Sequence, residues 1–141
     1  MTSSKEKILR IINVIGLAAT GLIHWFLPAI HPGLPTELTG GLIKISHETL
    51  HVLFNLNGVG YLILMGVILD WFPVRPKHMK YVYLVIAGFA LATIIAWVLL
   101  SDPTERSAVD YVDKAIEVVL TATAIWMFAL MTKEKPQPET H

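Results

Sequence analysis

Apolar residues run along this chain in four long blocks, separated by short stretches rich in proline, glycine and charge. The blocks cover about residues 8–28, 46–71, 78–100 and 107–131, each close to the roughly 20 residues an α-helix needs to cross a hydrocarbon core. Helix-breaking residues punctuate them: Pro28, Pro32 and Pro35 after the first, Pro73 and Pro76 after the second, Asp102–Pro103 after the third. Ser46 stands where the N-cap of the second helix is expected. Ser107 and Asp110 form a capping-box variant that opens the fourth. Leu38 to Ile45, between the first two blocks, is expected to form a short interfacial turn. The short connections make successive helices antiparallel neighbours. The pattern therefore predicts an all-α fold, a four-transmembrane-helix antiparallel bundle forming one domain over residues 1–132. A polar tail with two prolines, residues 133–141, is expected to be disordered. The first block has no small-residue cleavage pattern and reads as a retained span.

Composition narrows the class further. Of 141 residues, 16% are charged and 54% hydrophobic, against about 25% charged in a soluble domain, so the chain is short of water-facing surface. Cysteine is absent, which removes disulfides, thiolate metal sites, iron–sulfur clusters and thiol catalysis. A formal net charge of zero gives no support to a nucleic-acid partner. The expected partners are the lipid bilayer and, beyond it, other membrane subunits or a second copy of the chain. Eight of the eleven lysines and arginines fall on the side of the N-terminus; Lys44, Arg106 and Lys114 fall on the other. The positive-inside rule then places both termini in the cytoplasm of a multi-pass cell-membrane protein. Trp71 and Trp126 fall toward the inner interface, Trp25 and Trp97 toward the outer one. Gly16, Gly21, Gly58, Gly60, Gly66 and Gly88 permit close helix contact.

Ionisable residues inside a span are costly and are candidates for function. Counting about 1.5 Å of rise per residue, His24, His51 and Asp113 lie at one level, roughly 6–9 Å in from the outer helix ends, and Thr20, Asn55 and Glu117 at a second, roughly 12–15 Å in. Helical spacing puts Glu48, His51, Asn55 and Gly58 on one stripe, Asn13, Gly16, Thr20 and His24 on another, and Asp110, Asp113, Glu117 and Thr121 on a third. A ring in chain order puts helix one between helices two and four, so the stripes converge on an outward-facing pocket. Helix three offers only Thr93. Asp113 and Glu117 are like charges four residues apart and need a proton, a cation, a metal or a histidine partner. Lys114 forms a favourable pair with Asp110, is also adjacent to Asp113, and can snorkel outward while partly serving the two carboxylates.

Several chemistries fit these residues. His24 and His51 are candidate axial ligands of a b-type haem between helices one and two, which would make the chain an electron-transfer subunit. His24, Glu48, His51 and Asp113 are candidate ligands of a single metal ion. Glu48 and His51 have the Glu-x-x-His spacing of carboxylate-bridged di-metal bundles, but in one copy only. Glu48 or Glu117 acting as general base on a metal-bound water would make a membrane-embedded enzyme. Glu117, Asn55 and Thr20 could begin a proton or ion path. The plain reading is a structural polar cluster in a non-catalytic, accessory membrane protein.

Three short motifs add a resemblance: Gly21-Leu22-Ile23-His24 near the end of span one, Leu53-Phe54-Asn55-Leu56-Asn57-Gly58-Val59-Gly60-Tyr61 in span two, and Val112-Asp113-Lys114-Ala115-Ile116-Glu117 at the start of span four. Over roughly residues 10–130 the chain resembles an uncharacterised family of small four-span integral membrane proteins, mainly archaeal. The resemblance implies the architecture and picks out His24, Asn55, Asp113 and Glu117. It implies no activity.

Overall fold

The computed structural model describes residues 4–30, 37–38, 43–44, 47–101, 104 and 106–133. Four helices carry the chain: α1 (Ser4–Ile30), α2 (His47–Ile68), α3 (Pro76–Leu100) and α4 (Ala108–Lys133). Each is long and apolar enough to cross a membrane. Between α1 and α2 lies a short antiparallel ladder of β1 (Glu37–Leu38) and β2 (Ile43–Lys44), in which Glu37 faces Lys44 and Leu38 faces Ile43. Most of the expected interfacial turn falls on residues 39–42, outside the described residues, as do the expected cap at Ser46 and the tail from 134 onward.

Helix ends follow local chemistry, with departures from the sequence reading: α1 opens at Ser4, ahead of the expected start near residue 8, and α4 runs to Lys133, the first residue of the expected tail. α1 runs through Pro28 to Ile30, two residues past the proline expected to stop it. α2 stops at Ile68, short of residue 71, in a Schellman turn. There the Trp71 amide donates to Gly66 O at 2.9 Å and the Asp70 amide to Val67 O at 3.2 Å. Asp70 takes the left-handed position usually given to glycine, with φ 63°, which hid the stop from the sequence. Arg10 of α1 braces this end, donating to Ile68 O and, at 2.7 Å, to Asp70 Oδ2. α3 begins at Pro76, where proline suits the first helical turn. The capping box forms as expected: the Ser107 amide donates to Asp110 Oδ2 at 2.7 Å and the Asp110 amide to Ser107 Oγ at 3.3 Å.

α1 packs between α2 and α4, and α3 packs against α4, while α2 and α3 meet at few points. α1 and α2 approach closely at Gly21 and Gly58, where an added Cβ at Gly58 would sit 2.8 Å from Gly21 O. Gly88 does not take part in packing; nothing lies within 4 Å of its Cβ position. The outside of the bundle is apolar, with Ile8, Ile15, Leu56 and Leu99 all more than half exposed, whereas Asn13, Thr20, His24, Asp113 and Glu117 are buried. A soluble protein distributes these types the other way round. The chain is a membrane protein by this inversion and by its four apolar helices.

Candidate functional site

The buried polar groups meet where α1, α2 and α4 converge. α4 contributes Asp113, Lys114 and Glu117; α1 contributes His24, four residues beyond Thr20; α2 contributes Asn57 and Tyr61. The Gly21–Gly58 contact lies beside His24: an added Cβ at Gly58 would come within 3.4 Å of His24 Cβ. This close crossing is what brings α2 side chains onto the imidazole.

Asp113 Oδ2 receives two partners, His24 Nε2 at 3.1 Å and Lys114 Nζ at 2.9 Å. Glu117 Oε2 accepts from Lys114 Nζ at 2.7 Å. Glu117 Oε1 lies 2.8 Å from the Tyr61 hydroxyl and 3.6 Å from His24 Nε2. The Tyr61 hydroxyl also lies 2.9 Å from Thr93 Oγ1 of α3, which donates to Ala90 O at 2.8 Å. Asn57 Nδ2 lies 3.2 Å from His24 Nδ1 and 3.4 Å from Nε2. Such near-equal separation places the amide nitrogen over the face of the ring and out of its plane, within reach of its π cloud. Phe54 stacks on the same imidazole, centroids 5.3 Å apart.

The cluster explains how two acids four residues apart coexist on α4. Lys114 does not snorkel outward and does not pair with Asp110, which is engaged in capping Ser107. Its side chain is 11% exposed and its ammonium sits between the two carboxylates. In apolar surroundings, where no water competes, that is the stronger position for it.

Among the described residues, the group of three or more acids and imidazoles with ligand atoms in mutual reach is His24, Asp113 and Glu117, all within 4.8 Å. Glu48 is exposed at the start of α2, His51 is half-buried one turn on, and neither belongs to this group. Thr20 is fully buried, with no hydrogen-bond partner for its Oγ1 among the described residues. Asn55 is half-buried, and no hydrogen bond among the described residues joins it to the cluster. The residues of α2 that reach the site are therefore Phe54, Asn57, Gly58 and Tyr61; Gly58 is the member they share with the expected stripe of Glu48, His51, Asn55 and Gly58. Asn57 and Tyr61, four residues apart beside a packed glycine, were the available signal. Tyr61 reads as an ordinary core aromatic until its hydroxyl is seen against Glu117.

No curated protein and no solved structure matches the chain. A family model does match, over residues 1–128, a range that includes every residue of the cluster. The chain belongs to that family, DUF7475, a family of unknown function.

Proposed function

We propose that this chain is a non-catalytic, multi-pass protein of the cell membrane, both termini cytoplasmic, whose buried cluster binds one exchangeable proton in the outer half of the bilayer. The observation that carries this reading is the position of Lys114 Nζ, 2.9 Å from Asp113 and 2.7 Å from Glu117. The ammonium already bridges Asp113 and Glu117, two of the three residues a metal cation would have to draw on. With His24 neutral, one lysine against two carboxylates leaves a single negative charge in excess. An uncompensated buried charge costs several kcal/mol, and one proton removes it. A divalent metal ligated by His24, Asp113 and Glu117 would instead overshoot, adding two positive charges beside the ammonium. A bis-imidazole haem on His24 and His51 would have to compete with Asp113, to which His24 Nε2 is committed. The bilayer suits the apolar exterior as partner, and a second copy or another subunit is what an accessory role calls for.

The test counts protons and metals. Protein purified in lipid nanodiscs is titrated beside Lys114→Met, and both are submitted to elemental analysis. The variant, having lost the lysine charge, should bind one more proton per chain at neutral pH. Equal proton counts, or a stoichiometric divalent metal in the wild type, would refute the proposal.

A further inference from the structure

Hydrogen counting narrows where the proton sits. Three short oxygen–oxygen contacts run in a row from α4 to α3: Glu117 Oε1 to Tyr61 OH at 2.8 Å, Tyr61 OH to Thr93 Oγ1 at 2.9 Å, and Thr93 Oγ1 to Ala90 O at 2.8 Å. Each contact needs one hydrogen between its oxygens. Tyr61 and Thr93 carry one apiece, and Ala90 O carries none. Two hydrogens cannot serve three contacts. If Thr93 donates to Ala90 O and Tyr61 to Glu117, the Tyr61–Thr93 contact brings two bare oxygens together. A hydrogen on Glu117 Oε1 completes the row in one direction: Glu117 to Tyr61, Tyr61 to Thr93, Thr93 to Ala90 O.

The other groups facing Glu117 agree. From α1, His24 carries the Asn57 amide over its ring face. A partly positive N–H is drawn to the electron-rich face of a neutral imidazole and repelled by an imidazolium. From α4, Lys114 reaches Oε2, the oxygen left as carbonyl acceptor. Asp113 takes two partners at Oδ2, and its Oδ1 has no hydrogen-bond partner among the described residues, so no row there calls for a proton. From α3 comes Thr93, which does not titrate in this range. The charges then balance as one ammonium against one carboxylate.

We propose that Glu117 is the residue that holds the cluster's proton, as a neutral carboxylic acid donating to Tyr61, with Tyr61 and Thr93 as its positioning residues. This rests on the proton-binding reading above and adds the location. When Glu117 gives up the proton, the row reverses: Tyr61 donates to the carboxylate, Thr93 turns to donate to Tyr61, and Ala90 O loses its side-chain donor. Proton binding at α4 thus sets the hydroxyl orientation on α3 through Tyr61 of α2, a helix that meets α3 at few points.

Infrared spectroscopy of the full chain in nanodiscs tests this. At neutral pH the wild type should give the carbonyl band of one protonated carboxylic acid, sensitive to deuterium oxide. The band should vanish in Glu117→Gln, move in Tyr61→Phe, and move less in Thr93→Val. Should Glu117→Gln fail to fold, Tyr61→Phe decides alone, since only an acid bonded to Tyr61 changes frequency with that hydroxyl. Absence of the band, or a band unmoved in Tyr61→Phe, overturns the assignment. The two proposals fail separately. An extra proton in the titration together with an imidazolium signature in the nitrogen spectrum of His24 would sink Glu117 alone; no extra proton would sink both.

Discussion

Replacing Lys114 with methionine keeps the length of the side chain and removes its ammonium. The lysine side chain is 11% exposed, and its two partners are 5% and 0% exposed, so water does little to compensate the loss. Breaking a buried ion pair by deleting one partner costs about 3–5 kcal/mol, because the remaining charge is left unpaired. Lys114 serves Asp113 and Glu117 together, and the lower half of that range already exceeds any surface effect. The sign with pH follows from the same charges. In the variant a proton is the remaining means of neutralising the carboxylates, so the loss should be greatest at alkaline pH and shrink as acid supplies protons. Removing Asp113 as well, in Lys114→Met with Asp113→Asn, takes away both charges and should recover most of the stability. Unfolding in mixed detergent micelles, followed by far-UV circular dichroism at two pH values, measures all of this. A loss below about 1 kcal/mol at both pH values, the size of an exposed pair, would mean that water reaches the ammonium and that the charge argument for the site is wrong.

Two further outcomes are expected. Gly58→Ala places a methyl 2.8 Å from Gly21 O and 3.2 Å from Trp25 N; both are backbone atoms, so α1 and α2 must part, at a cost of about 1–3 kcal/mol. Gly88→Ala meets nothing within 4 Å and, alanine being the better helix former, should be neutral or stabilising by up to about 1 kcal/mol; losses equal to those of Gly58→Ala in the same unfolding assay would refute the helix crossing. Asn57→Asp sets an anion against the His24 ring, and an adjacent anion favours the charged imidazole. The nitrogen spectrum of His24 should change from neutral to imidazolium, and an unchanged spectrum would mean that Asn57 does not lie over the ring.

The amino-acid order determined a good deal without coordinates. Apolar run lengths define four spans, and the breaks between them define an antiparallel bundle, because both depend on helix rise and on backbone groups that must be satisfied within lipid. The Ser107–Asp110 cap was legible because its two hydrogen bonds are local. The meeting of His24 with Asp113 followed from depth along two helices, which residue counting supplies. Rotation about the helix axis was not legible to the same accuracy. Each residue turns the helix by about 100°, so Asn55 and Asn57 point roughly 200° apart, and the neighbouring helix decides which one faces inward. The Gly21–Gly58 crossing selects Asn57 and, with it, Tyr61. Lys114 presented the same difficulty. Sequence offers it Asp110, Asp113, Glu117 and the water at the membrane surface, and only the packed interior, by excluding that water, makes the two buried carboxylates its partners. Spans and caps depend on contacts near in the chain; the site depends on which surfaces of four helices touch, and tertiary structure alone decides that.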